Sequence, residues 1–348
     1  AAAPVAAAAV ILVAVAAPAS ASGQATLAEH LAGPLTFDVT RDDTLVVGES
    51  FAGALISVSP SGGTTTLVGP SAFDIAAVSV DHNEVTYGQT TLGPDGFPVA
   101  ASLMRLGRDG VARAVADLRA YDETVNPDAV NTYGIGGLSP ECAATVPPFL
   151  LPGPGGVDSH PYGSVTRGGT TYVADAGGND ILAVDRSGAI STVAVLPPVT
   201  VPITAEAAAG IGLDPCVVAE GGTITLEPVP TDVELGPGGM LYVSLLPGGP
   251  EDGSLGANGR VYRVDPRTGS ATQLAGGFFG ATNVAVGAGG TVYVAELFGS
   301  RVSAIAPDGT VSTFATLPSP ADVEWAAGKL YVSTDVFGDG SIVSFPAP

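Results

Sequence analysis

From residue 35 onward the chain is a succession of short apolar runs separated by breaks rich in glycine, proline and aspartate. The runs favour β-branched and aromatic residues, which predicts strands rather than helices. Several stretches share one pattern. They are Pro230-Thr-Asp-Val-Glu-Leu-Gly-Pro-Gly-Gly-Met-Leu-Tyr-Val-Ser244, Ala281-Thr-Asn-Val-Ala-Val-Gly-Ala-Gly-Gly-Thr-Val-Tyr-Val-Ala295 and Pro320-Ala-Asp-Val-Glu-Trp-Ala-Ala-Gly-Lys-Leu-Tyr-Val-Ser333. His160 to Ala174 belongs with them, Leu35 to Val47 is a looser copy, and Ala72 to Tyr87 is the loosest. Each copy reads as a first strand, a turn and a second strand. Two further strands follow, as in Arg301–Ile305 and Thr310–Phe314 around the turn Pro307-Asp308-Gly309.

Four antiparallel strands recurring every ~40 residues are the mark of propeller blades. The expected fold is all-β, a six-bladed β-propeller with blades at about 35–70, 71–118, 158–196, 229–277, 280–317 and 319–348. The last copy is one strand short, and Gln24 to His30 is expected to supply it, closing the last blade and removing an exposed edge. Residues 22–348 then form one domain with insertions at about 119–157 and 197–228, where Ala205 to Gly210 suits a single helical turn.

Ahead of this domain, residues 1–17 are apolar without interruption and a small-residue segment follows. That reads as a secretory signal peptide over 1–21, without its charged n-region. A secreted, extracellular chain follows, with no membrane contact after cleavage. Cys142 and Cys216, one in each insertion, are then expected to form a disulfide that ties the insertions into a lid. Charge narrows the partners. With 12 basic and 34 acidic residues the net charge is −22, which excludes nucleic acid. A monomer is expected.

The segment Tyr172-Val-Ala-Asp-Ala-Gly-Gly-Asn-Asp-Ile-Leu-Ala-Val-Asp-Arg-Ser-Gly-Ala-Ile-Ser-Thr-Val193, preceded by His160-Pro161-Tyr162-Gly163, resembles the ScyD/ScyE family of exported bacterial proteins. Val229 to Val233 and Gly259 to Asp265 fit the same pattern. More distantly the chain is similar to NHL-repeat and gluconolactonase-like propellers. The resemblance implies the six-bladed fold and export; it implies no reaction. The second copy departs from the pattern at Asp81-His82-Asn83.

In such a wheel the repeat register places one residue per blade around a channel mouth: Asp38, Asp74, Tyr162, Asp232, Asn283 and Asp322. A second ring, at the ends of the second strands, holds Glu49, Asp175, Glu296 and Asp335. Asp38, Asp74, Asp232, Asn283, Asp322, Glu49 and Glu296 are candidate ligands for Ca²⁺ or another divalent cation, which takes 6–8 oxygens. The competing role for these side chains is local capping of backbone amides. His160 is the one candidate general base; His30 and His82 read as structural. No nucleophile elbow or nucleotide-binding motif is present. Two functions remain. One is a binding or scaffold module taking a small molecule, glycan or protein at the mouth. The alternative is a lactonase-type hydrolase dependent on a divalent cation.

Overall fold

The computed structural model describes residues 23–347, so the expected signal peptide lies outside the described residues. Seven four-stranded antiparallel sheets account for nearly all the regular structure. Six follow chain order. Sheet 1 runs through Pro34–Val39, Leu45–Glu49, Ala54–Val58 and Thr64–Val68, and sheet 2 spans Asp74 to Asp117. Sheet 3 spans Pro161 to Val195, sheet 4 Pro230 to Phe278, and sheet 5 Ala281 to Thr316. Sheet 6 has three strands from Val323 to Pro346 and takes Ala25–Leu31 as its fourth, against Gly340–Pro346. The expected closure by the N-terminal strand is therefore present.

The first strand of each of these sheets lies beside the first strand of the next, and that of sheet 6 returns to that of sheet 1. The cores follow this order. Leu45 and Val47 face sheet 6, packing with Tyr331 and Ile342, whereas Val46 and Leu55 face Ile75 and Tyr87 of sheet 2. Successive strand residues point to opposite faces, and here both faces are covered. That is why the second strands read as unbroken apolar runs.

The expectation of six sheets is corrected by the insertions. Instead of irregular loops with one helical turn, they build a seventh sheet from Thr132–Gly136, Gly153–Pro154, Val199–Pro202 and Thr223–Leu226. Helix Ala205–Gly210, started by Thr204 on the Ala207 amide, packs into its core, whereas helix Leu118–Val125, started by Asp117 on the Ala120 amide, packs on sheet 2 with Leu118 in the core between sheets 2 and 3. This cap has its own core, including Ile135, Val199, Val217 and Ile224. The Cys142–Cys216 disulfide forms as expected, with Cα atoms 5.9 Å apart, and Glu220 reinforces it by accepting from the Ser139 amide and hydroxyl. No helix among the described residues is long and apolar enough to cross a membrane.

At the irregular second copy, Asp81 pairs with Glu84 and both His82 and Asn83 take positive φ. That is the backbone of a two-residue hairpin turn usually given to Asn-Gly. His82 is held there between Asp81 and Arg41, and His30 pairs with Asp339 on the exposed edge strand.

Candidate functional site

The first strands surround an axis, and cross-strand partners fix the level at which each side chain meets it. Asp232 is opposite Ser244, Asn283 opposite Ala295, and Thr36 opposite Gly48. Asp38 is opposite Val46 and so shares its level with Glu234 (opposite Tyr242) and Glu324 (opposite Tyr331). The expected single ring is thus corrected to three levels. Asp74, at the start of its strand, stands nearest the mouth. Asp232, Asn283 and Asp322 form the next level, and Asp38, Glu234 and Glu324 the deepest. Aligning the shared Asp-Val pairs displaced Asp38 by two residues. Glu234 and Glu324 escaped that alignment, although the Asp-Val-Glu spacing of two puts both acids of each strand on one face.

Most of these groups join one sheet to the next. Asp322 Oδ2 accepts from the Phe37 amide at 2.5 Å, Asp38 Oδ2 from Val80 at 2.6 Å, Asp232 Oδ2 from Val284 at 3.1 Å and Asn283 Oδ1 from Val323 at 3.2 Å. Every one is a contact between neighbouring sheets, and Asp38 adds the local kind of contact through Oδ1, which accepts from the Val39 amide. Sheet 3 has Gly163 at this level because a Cβ there would stand 2.5 Å from Asp232 Oδ1 and 2.6 Å from Asp232 Cα.

Burial dominates the electrostatics. It pushes Asp38 and Asp232 up to about 7, against the lowering effect of their backbone hydrogen bonds. Burial first, and then the neighbouring carboxylates, hold Glu234, Asp322 and Glu324 well above the ordinary range. Asp38, Glu234 and Glu324 are partly open to the axial space yet enclosed by the sheets around it.

At the mouth, His160 Nε2 lies 2.8 Å from Asp74 Oδ2 and its backbone amide donates to Asp175 Oδ1. Burial alone would lower the imidazole; the Asp74 hydrogen bond and the charges of Asp74, Asp175 and Asp158 outweigh it and raise it. Tyr162 stands edge-on to His160, its phenol raised by burial and by Asp74, Asp322 and Glu251.

The proposed second ring does different work. Glu49 accepts from the Ala32 amide and Glu296 from the Phe279 amide, each pinning the chain as it enters its own sheet. Glu296 is fully buried and also takes Arg301 through both oxygens and Ser303. Glu296→Gln is expected to destabilise the chain by about 2 kcal/mol, read by denaturant unfolding, because it breaks a charge-assisted network. No group of three His, Cys, Asp or Glu side chains among the described residues is pre-arranged to hold a metal ion.

Beside the axis, the loop between the second and third strands of sheet 4 encloses a cavity of about 250 Å³. Its walls are Leu226 of the cap sheet, Pro247, Glu251 and Leu255 of that loop, Phe279 of the link between sheets 4 and 5, and Phe298 of the loop that follows Val292–Glu296. The two rings are tilted at a centroid distance of 5.7 Å. Thr204 Oγ1 donates to Ser254 O and so ties the loop to the cap.

No family model matches the chain, and no curated protein matches it. Solved structures do. The PQQ-bound aldose sugar dehydrogenase of Streptomyces coelicolor is similar at 14% identity and a TM-score of 0.58, over 94% of this chain and 99% of that one. The putative oxidoreductase (glucose dehydrogenase) of Thermus thermophilus is similar at 17% and 0.57, over 92% and 99%. A gluconolactonase from Xanthomonas campestris is similar at 13% and 0.55, over 93% and 89%. At such identities the likeness establishes the class of fold: the chain is a β-propeller protein.

Proposed function

We propose that the chain is an exported six-bladed β-propeller of the ScyD/ScyE type, monomeric, whose mouth face is a binding module. The blade count is supported by the six sheets in chain order and the cyclic contact of their first strands, with the seventh sheet acting as a cap. Export is supported by the disulfide, which persists in oxidising compartments.

The binding role rests on one observation, the cavity walled by Leu226, Leu255, Phe279 and Phe298. A concave, mostly apolar space with a few polar groups suits a small ligand. Its chemistry favours a compact molecule with an apolar or aromatic face, and Glu251 at the rim disfavours an anion.

A cation-dependent hydrolase would instead need several free oxygens meeting at one point on the axis. The Asp322 Oδ2, Asp232 Oδ2, Asn283 Oδ1 and Asp38 oxygens are engaged by backbone amides, and Glu49 and Glu296 serve their own sheets. Asp74 Oδ1 and Asp322 Oδ1 remain without a partner but stand at different levels, which disfavours this reading.

The test uses N-phenyl-1-naphthylamine, a neutral aromatic dye. Saturable fluorescence enhancement is expected with the wild-type chain, weakened about tenfold, or 1.4 kcal/mol, in Phe298→Ala at unchanged thermal stability. An absence of saturable binding, or equal binding by the variant, refutes the cavity as the site.

A further inference from the structure

A second group of acids lies off the axis, where the first insertion meets sheet 3. Asp122 comes from helix Leu118–Val125, Asp128 from the next helical turn, and Asp158 from the segment entering the sheet. Asp175 and Asp180 pair across the end of a hairpin. Asp122, Asp128, Asp175 and Asp180 are each no more than 3% exposed. Burial first, and then their mutual repulsion, raises Asp122 to about 6 and drives Asp180 well above its ordinary range. The nearby cations are engaged elsewhere: Arg119 with Glu123 and the Pro98 carbonyl, His160 with Asp74.

Hydrogen bonds satisfy only part of this cluster. Asp122 Oδ2 accepts from the Asp158 amide at 2.8 Å, and Asp128 Oδ2 from Asn179 at 2.9 Å and Tyr133 at 3.1 Å. The Oδ1 atoms of Asp122, Asp128, Asp158 and Asp180 are buried with no partner. Residues 177 and 178 are glycines, so no side chain fills the space between Asp158 and the hairpin acids. A Cβ on Gly178 would sit 3.4 Å from Asp175 Cγ, 3.5 Å from Asp158 O and 3.6 Å from Asp180 Oδ1; one on Gly177 would sit 3.0 Å from Asp158 Cγ. Asp158 of the entering segment and Asp175 and Asp180 of the hairpin therefore border one small space, and Asp122 is joined to it through the Asp158 amide.

We propose that this space is a site for a hard divalent cation, Ca²⁺ by preference, which fastens the first insertion to sheet 3. Calcium accepts 6–8 oxygens in adaptable geometry, mixing carboxylates with backbone carbonyls. The donors are not pre-arranged, so the ion draws the unpartnered oxygens inward across the glycine gap. In the axial ring the Asp38 oxygens, Asp232 Oδ2, Asp322 Oδ2 and Asn283 Oδ1 are bonded to amides, and the two unpartnered oxygens there, Asp74 Oδ1 and Asp322 Oδ1, come from different levels. The site is independent of the mouth cavity.

Thermal melting of the full chain with chelator and with saturating Ca²⁺ tests this. Calcium is expected to raise the midpoint by roughly 5 °C. Asp180→Asn is expected to abolish that rise. So is Gly178→Ala, which keeps every carboxylate and meets its neighbours only at ordinary contact distances, so it folds. The axial variant Asp232→Asn is expected to retain it. The proposal fails if calcium leaves the wild-type midpoint unchanged, if both cluster variants still respond, or if the response is lost in Asp232→Asn instead.

Discussion

A melting temperature that falls as the pH is raised from 5 to 8, measured in chelator, is the expected result for this chain. Asp38 and Asp232 have an ordinary value of 3.8 and are pushed up to about 7 by burial in the folded state. Between those values the folded chain binds more protons than the unfolded chain, so stability declines with rising pH. The stabilisation is complete below about pH 4 and is lost as the pH passes about 7. Each such group removes about 1.4 kcal/mol per pH unit inside that window. Asp232→Asn isolates one of them. Sheet 5 already carries an amide, Asn283, at the same level, and its oxygen accepts the Val323 amide. The variant therefore keeps the contact with Val284 and discards the charge. Its profile is expected to be shallower by that amount per unit, with a higher midpoint at pH 8. A midpoint that rises from pH 5 to 8, or an unaltered slope in Asp232→Asn, contradicts the account.

Removing the disulfide, by reduction or by Cys142→Ser with Cys216→Ser, is expected to act on the cap rather than on the ring. The bond closes a loop of sequence separation 74, for which chain entropy gives about 4 kcal/mol. The cap has its own core and only short strands, so the loss should fall there. Hydrogen exchange is expected to show Thr132–Gly136 and Thr223–Leu226 losing protection while Leu241–Leu245 keeps it. Dye binding should weaken with them, because Leu226 is one wall of the cavity. Uniform loss of protection across all seven sheets would mean that the cap and ring unfold as one unit.

The repeat was legible because its second strands are buried on both faces and its turns carry glycine and proline at set positions. Val292–Glu296 and Leu241–Leu245 announce themselves in this way. The cap sheet was not legible. Gly153–Pro154 is two residues long, Thr132–Gly136 contains two glycines, and Ile135 pairs with Ile224 far along the chain. The depth of Asp38 was hidden because Thr36 holds the level of Asp232 in sheet 1, so that the Asp-Val pair matched by sequence stands two residues further along the strand. The pairing of Cys142 with Cys216 was accessible because only two cysteines exist. The off-axis acids were not, since they come from a helix, a turn, an entry segment and a hairpin with no shared spacing.

Ala25–Leu31 is bonded to Gly340–Pro346, so the earliest described strand waits for the latest one. During synthesis nearly all the described residues must emerge before that pairing can form. Until then two strand edges stay open to other molecules. Contacts of such sequence separation slow folding. A nonsense mutation anywhere upstream of Gly340 would therefore leave an unclosed sixth sheet prone to self-association.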